Sequence, residues 1–350
     1  MITSISLNNF RSYQDSIFEF EPGVNIIVGP NASGKTNIIE SILLASNGSG
    51  YRGRDINLIK HDSEWSRIEM TISNDSRVIK IQKENDRIKK TIEIDEQKKS
   101  RMPKGKIIQS VLFEPNHLLM FHGGPDMRRD FMDDLLSIIK PEYAYNLRQY
   151  KRALAQRNNL LRYENIKLDE LFIWNLRLSD LGGLIVADRC ALIQQLNQEL
   201  PDIYRGLSGT KANIRVEYIS KNRTENYASD MLKNLESNLE IDIARKHTTT
   251  GPHRDDMNIT INGYSIKDVA SRGEVRTVIL ACKVFEVNRL HEISGNKPII
   301  LLDDVFSELD GSRRRSLTSF LDNSQVFITT TDADVVVQYF LQKCHIIPLG

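Results

Sequence analysis

Residues 29–36 read Gly29-Pro30-Asn31-Ala32-Ser33-Gly34-Lys35-Thr36, a G-x-x-x-x-G-K-T loop. Its flanks restrict the fold more than any other feature. The apolar run at 24–28 reads as a buried strand entering the loop, and the periodicity of 36–45 predicts an amphipathic helix leaving it. Glycine lets the backbone turn tightly enough for successive amides to surround a polyphosphate at a positive helix N-terminus. In that setting Lys35 would neutralise phosphate charge and Thr36 would hold Mg²⁺. The whole loop is therefore a candidate nucleoside triphosphate site.

At 350 residues, two lobes of ordinary domain size or one large α/β domain are both possible. The 47 Lys and Arg balance 46 Asp and Glu, so any polyanion must be met by a local patch rather than by a global field. Three cysteines, Cys190, Cys282 and Cys344, stand far apart with no C-x-x-C pair. They suggest neither a disulfide framework nor a zinc site, as expected for a reducing cytoplasm. The first residues lack the basic flank and apolar core of a signal peptide, and no run approaches the ~18 apolar residues of a membrane helix. No membrane partner is expected.

Residues 1–115 read mostly as strands. Ile68, Met70 and Ile72, then Val78, Ile79 and Ile81, then Ile88, Ile92 and Ile94 follow one another across the turn pairs Asn74-Asp75 and Asn85-Asp86. That pattern predicts an antiparallel meander against the sheet that carries the phosphate loop. From about 125 to 239 helical periodicity takes over, with expected breaks at Pro141, Gly182-Gly183 and Pro201 and a short strand at 214–218. Beyond 243 the α/β pattern returns: a hairpin at Asn262-Gly263, a helix at 273–293, a strand at 298–302, a helix at 311–321 and a strand at 326–329. The expected division is a nucleotide-binding head from 1–120 and 243–350, with a mainly helical insertion at 121–242.

Ile299-Ile300-Leu301-Leu302-Asp303-Asp304 is an apolar strand ending in two carboxylates. An unpaired buried carboxylate is costly, so the pair needs a metal or a proton to manage. Asp303 would hold Mg²⁺ through water, and Asp304 would orient or deprotonate an attacking water. About thirty residues upstream, Ala270-Ser271-Arg272-Gly273-Glu274 opens a helix, and Ser307-Glu308-Leu309-Asp310 follows closely. This order is similar to the signature, acidic strand and Leu-Asp loop of ABC-class ATPases. Ser271 and the Gly273 amide would form a second anion site, which in that class closes over the nucleotide held by the other subunit.

The chain as a whole resembles the RecF family of bacterial recombination-repair ATPases, relatives of the heads of structural-maintenance-of-chromosomes proteins. The resemblance is carried by 7–13, the phosphate loop, 113–118, 128–133, Thr250-Gly251-Pro252-His253-Arg254-Asp255-Asp256, the Ser271 signature, Asp303-Asp304 and Thr329-Thr330-Thr331-Asp332. It implies an ABC-type P-loop head with a helical insertion, using ATP and Mg²⁺. It also implies weak DNA-dependent ATPase activity, an ATP-dependent homodimer that closes on gapped DNA, and cooperation with mediator proteins like RecR and RecO to load recombinase and support the SOS response. Arg11 would reach the nucleotide.

Three departures stand out. Ser-Arg-Gly-Glu replaces the usual Ser-Gln-Gly-Gln, placing the charge of Glu274 near the closing dimer, where it would weaken or retune closure. Asp304, although it agrees with the RecF pattern, replaces the glutamate of transporter ATPases, and threonines stand at 329–331 where transporters carry a switch histidine; these two point to slow hydrolysis. A transporter ATPase, a coiled-coil clamp and a protein that binds ATP without turnover remain as alternatives. Basic residues at 148–162, including Arg157, and at 98–106 are candidate DNA contacts or solvated faces.

Overall fold

The computed structural model describes residues 1–50, 53–73, 75–85, 87–163, 165, 167–321, 323–340 and 344–350. Asn74 and Asp86 of the expected turn pairs lie outside the described residues. Backbone packing divides the chain into two compact units, 1–117 with 290–350, and 118–289.

The first unit begins with β1 (Ile2–Phe10), β2 (Tyr13–Glu19) and β3 (Val24–Val28), followed by α1 (Lys35–Asn47), β4 (Trp65–Ile72), β5 (Asp75–Glu84), β6 (Arg87–Ile94), β7 (Gln97–Lys99) and β8 (Ser110–Phe113). Strands β1, β2 and β4 to β7 form one antiparallel sheet in the order β2-β1-β4-β5-β6-β7. Buried Ile68 and Met70, Ile79 and Ile81, and Ile92 and Ile94 alternate with outward-facing polar residues, as a sheet covered on one face requires.

The second unit holds α2 (Pro125–Ile139), α3 (Pro141–Leu160), α4 (Leu168–Ser208), β9 (Ile214–Ile219), α5 (Tyr227–Ser237), α6 (Leu239–Arg245), β10 (Asp256–Ile261), β11 (Tyr264–Ser265) and α7 (Ile266–Val269). It also holds most of α8 (Arg272–Ser294). It therefore continues past residue 242, because β10 pairs antiparallel with both β9 and β11 and so stays with the helices. Asn262 and Gly263 both take positive φ, 53° and 86°, the conformation a two-residue hairpin of this type needs. The second strand of that hairpin is shorter than the pattern suggests, because Ile266 starts α7.

The expected helix breaks at Gly182-Gly183 and Pro201 do not occur; α4 runs through both for 41 residues. The glycines serve packing. A Cβ on Gly182 would lie 2.8 Å from Met231 Sδ, and one on Gly183 would lie 3.1 Å from Ala228 Cβ, so they let α5 lie close against α4. Pro201 forfeits one helical hydrogen bond, while Leu200, Ile203, Tyr204 and Leu207 around it remain buried.

The chain then returns to the first unit with β12 (Ile299–Asp303), α9 (Gly311–Leu321), β13 (Val326–Thr330), α10 (Asp334–Val337) and β14 (Cys344–Pro348). These complete a parallel sheet in the order β14-β3-β13-β12-β8. Strands β12 and β13 are buried at every residue, which explains their unbroken apolar runs. Helix α1 sits between the two sheets; Ile38, Ile39 and Ile42 share a core with Ile5, Leu7, Ile79, Leu301 and Phe327. It is buried nearly all round and is not the one-sided amphipathic helix its sequence suggests. Gln325 ties the sheets together: its Oε1 accepts from the Ile2 amide at 2.8 Å, and its Nε2 donates to the Ile2 carbonyl at 2.7 Å.

Candidate active site

The parallel sheet places β3, β12 and β13 side by side, so the loop after β3 and the C-terminal ends of β12 and β13 lie at one edge. Ligands of parallel α/β sheets gather at that edge. Gly34 caps α1 with φ 99°, and a Cβ there would meet Tyr13 Oη at 2.6 Å. Both the conformation and the close approach call for glycine.

Lys35 is buried, and its Nζ donates to the loop carbonyls of Gly29 at 2.8 Å and Pro30 at 2.9 Å. Two of its three N–H groups thus curl the loop around the ammonium, which has no carboxylate partner among the described residues. Ser33 Oγ and Tyr13 Oη, both at this loop, are buried with no hydrogen-bond partner among the described residues. Unsatisfied buried polar atoms of this kind are rare and mark places where a ligand or water completes the site.

Thr36 Oγ1 lies 3.0 Å from each oxygen of Asp303. Asp303 also accepts from Thr329 Oγ1 at 2.8 Å, and Thr329 Oγ1 in turn accepts from the Asp304 amide at 2.9 Å. One threonine therefore fixes both aspartates. Asp304 has φ 57°, an uncommon left-handed conformation that turns the chain sharply at the end of β12. Burial raises its carboxyl pKa above the ordinary value; the Asp303 and Glu308 charges push the same way and Lys35 opposes them. A carboxyl so held is a better proton acceptor.

Thr36 Oγ1 and the Asp303 carboxylate are hard oxygen groups 3.0 Å apart, the kind that Mg²⁺ takes directly or through water alongside phosphates. Among the described residues no cluster of three or more His, Cys, Asp and Glu could hold a metal.

Arg11, expected near the nucleotide, turns onto Glu40 of α1, with Nε and Nη2 at 2.8 and 2.9 Å from the two carboxylate oxygens. Glu40 is almost fully buried; nothing in the sequence spacing announced it as a partner. Asp310 caps α9 by accepting from the Arg313 amide at 2.9 Å, and that bond chiefly lowers its pKa to about 2. Ser271 and Gly273, at the start of α8, belong to the second unit. Ser271 is exposed and bound to Glu274.

Several residues of the family motifs are structural. Arg128 is bidentate to Asp256 at 2.7 and 3.0 Å, and Asp133 accepts from Arg189 at 2.8 Å. Arg157, expected near a basic face carried by Arg148, Lys151 and Arg152, is fully buried and paired with Asp242 at 2.7 Å.

A family model described as the RecF/RecN/SMC N-terminal domain matches residues 1–345. A protein of Lachnoclostridium phytofermentans named DNA replication and repair protein RecF is 34% identical over 344 residues, 96% of this chain and 94% of the relative. This chain belongs to the RecF family. Its Clostridium perfringens SM101 member, under the same name, is 35% identical over 345 residues, 97% of this chain and 95% of that one. The solved structure of the recombination mediator protein RecF with ATP in the RecFOR pathway superposes with a TM-score of 0.84 at 30% identity, over 95% of this chain and 92% of that one. The Smc head of Pyrococcus furiosus shares the fold alone, with a TM-score of 0.52 at 17% identity over 97% of this chain and 91% of that one. The α/β head with a helical insertion is thus the RecF and Smc-head architecture. No helix among the described residues is long and apolar enough to cross a membrane.

Proposed function

We propose that this RecF-family chain is a cytoplasmic, slowly hydrolysing ATPase of recombinational repair, and that ATP closes it into a homodimer around DNA. The Thr36, Asp303 and Thr329 chain beside the buried Lys35 is the observation that carries the reading. The amides of 29–34 receive the phosphates and Lys35 exchanges its loop carbonyls for phosphate oxygens. Thr36 and Asp303 hold Mg²⁺, which when bound offsets phosphate charge. Asp304, poised as a base by its raised pKa, orients the attacking water. Ser271 and the Gly273 amide meet the nucleotide of the second copy, so the shared phosphate bridges the dimer and its loss reopens it.

The relatives' names place them in replication and repair, and one solved relative in the RecFOR pathway. Mediator proteins like RecR and RecO, gapped DNA, recombinase loading and the SOS response follow from that kinship.

Asp304→Asn tests the chemistry. It is expected to keep ATP binding, abolish phosphate release and accumulate the ATP-bound dimer. Parental turnover in that variant would remove Asp304 from the reaction.

A further inference from the structure

The segment 250–256 lies in the second unit, and no step above uses it. Its polar groups are almost all committed. His253 Nε2 faces the Thr248 carbonyl at 3.2 Å, so Nε2 carries the proton and Nδ1 accepts from Tyr150 Oη at 2.7 Å. Asp255 accepts from Tyr218 at 2.9 Å and Tyr227 at 2.6 Å. Asp256 accepts from Arg128, and the Pro252 and Asp255 carbonyls accept from Arg189 and Arg129. Gly251 sits at φ 126°, where a Cβ would lie 2.4 Å from Tyr150 Oη. Satisfied networks of this kind hold a loop in one shape.

The locked turn presents Arg254. Its side chain is exposed and, among the described residues, donates only to the Thr248 carbonyl, at 3.3 and 3.2 Å. It borders an open cleft of about 420 Å³ shared with Lys221 and Arg245. Neither of those exposed cations has a carboxylate partner among the described residues, whereas Arg128, Arg157, Arg189 and Arg223 of the same unit are all ion-paired. Three like charges around one cleft repel one another until an anion enters. The two aspartates in its lining are already engaged by tyrosines, an arginine and a lysine.

We propose that this cleft grips the sugar–phosphate backbone of DNA, which rests on the reading of the chain as a DNA clamp. A guanidinium and two flanking cations suit phosphate oxygens. Among the described residues no Phe, Tyr or Trp lines the cleft, whose one ring is the imidazole of His247, so it lacks both the large stacking platform that would select single strands and the aromatic anchor common in protein interfaces. The grip is therefore on the backbone, without reading sequence.

The test is the affinity of the full-length protein, with ATP and Mg²⁺, for a labelled duplex across about 50 to 200 mM NaCl. Parent is compared with Lys221→Gln, Arg245→Gln, Arg254→Gln and the triple variant. Each single change is expected to lower the slope of log affinity against log salt by about 0.9, and the triple change by about 2.7. ATP binding and the thermal transition should stay parental, since all three side chains are exposed. A triple variant with parental affinity and slope overturns the cleft as the contact while leaving the clamp reading intact. A parent that binds no duplex even at the lowest salt contradicts the clamp reading and the cleft with it. Inorganic phosphate at matched ionic strength is expected to leave the complex intact; displacement of the duplex would mark a small-anion site instead and overturn the proposal.

Discussion

Glu274 accepts from both the main-chain amide and the hydroxyl of Ser271, each at 2.8 Å, and the Glu274 amide points back at Ser271 Oγ at 3.3 Å. This is a capping box, and it occupies the one hydroxyl expected to meet the second copy's nucleotide. Glu274 thus stabilises α8 while setting a negative charge on the surface proposed to receive phosphate.

Glu274→Gln keeps the box, because glutamine serves equally well at that position. Removing one charge close to phosphate is worth ~1 to 2 kcal/mol, so the ATP-dependent dimer should tighten by about tenfold. Sedimentation over a protein concentration series measures this. Equal dissociation constants would show that Glu274 does not oppose closure.

Thr329→Val removes the hydroxyl that positions Asp303 and frees the Asp304 amide. Such a loss should cost about 1 to 3 kcal/mol of stability. It is also expected to reduce kcat about tenfold or more while ATP affinity changes little, because Thr329 acts through the aspartates. Equal losses in binding and turnover would assign Thr329 a purely structural role.

The hydrolysis rate should fall on acidification at a pH above the ordinary aspartate range, since burial raises the Asp304 pKa and only the charged form accepts a proton. The acid limb of kcat against pH checks this. An acid limb at the unperturbed aspartate value would contradict the role of Asp304 as base.

Burial lowers the His253 pKa to about 4, whereas an unfolded chain protonates near the ordinary histidine value. The unfolded state therefore binds more protons between those two values, and stability is lost as pH falls through that window. The loss approaches ~3 kcal/mol on full protonation. Thermal melts of parent and His253→Gln at pH 7 and 5 should show a smaller acid loss in the variant. Parallel losses would mean that His253 does not control acid sensitivity.

The nucleotide edge was legible because its chemistry is local in sequence. Residues 29–36 and 303–304 carry their own turn, charge and metal-donor requirements, and the strands before them are buried on both faces. Thr329 was less legible, since its importance lies in a parallel register with β12 that only the assembled sheet creates. Arg157 read as a surface cation because helical periodicity does not reveal an Asp242 eighty-five residues away. Gly182 and Pro201 read as breaks because local propensity knows nothing of Met231 or of the apolar residues around the proline. The Glu274 charge was visible in the sequence; its bond to Ser271 was not.

A nucleotide site shared between two copies is tested most directly by the solution mass with and without ATP and Mg²⁺, with Lys35→Met and Ser271→Arg alongside. A monomer that becomes a dimer only with ATP, and does so in neither variant, is the expected result. An unchanged mass in the parent, or full dimerisation of Ser271→Arg, would contradict it.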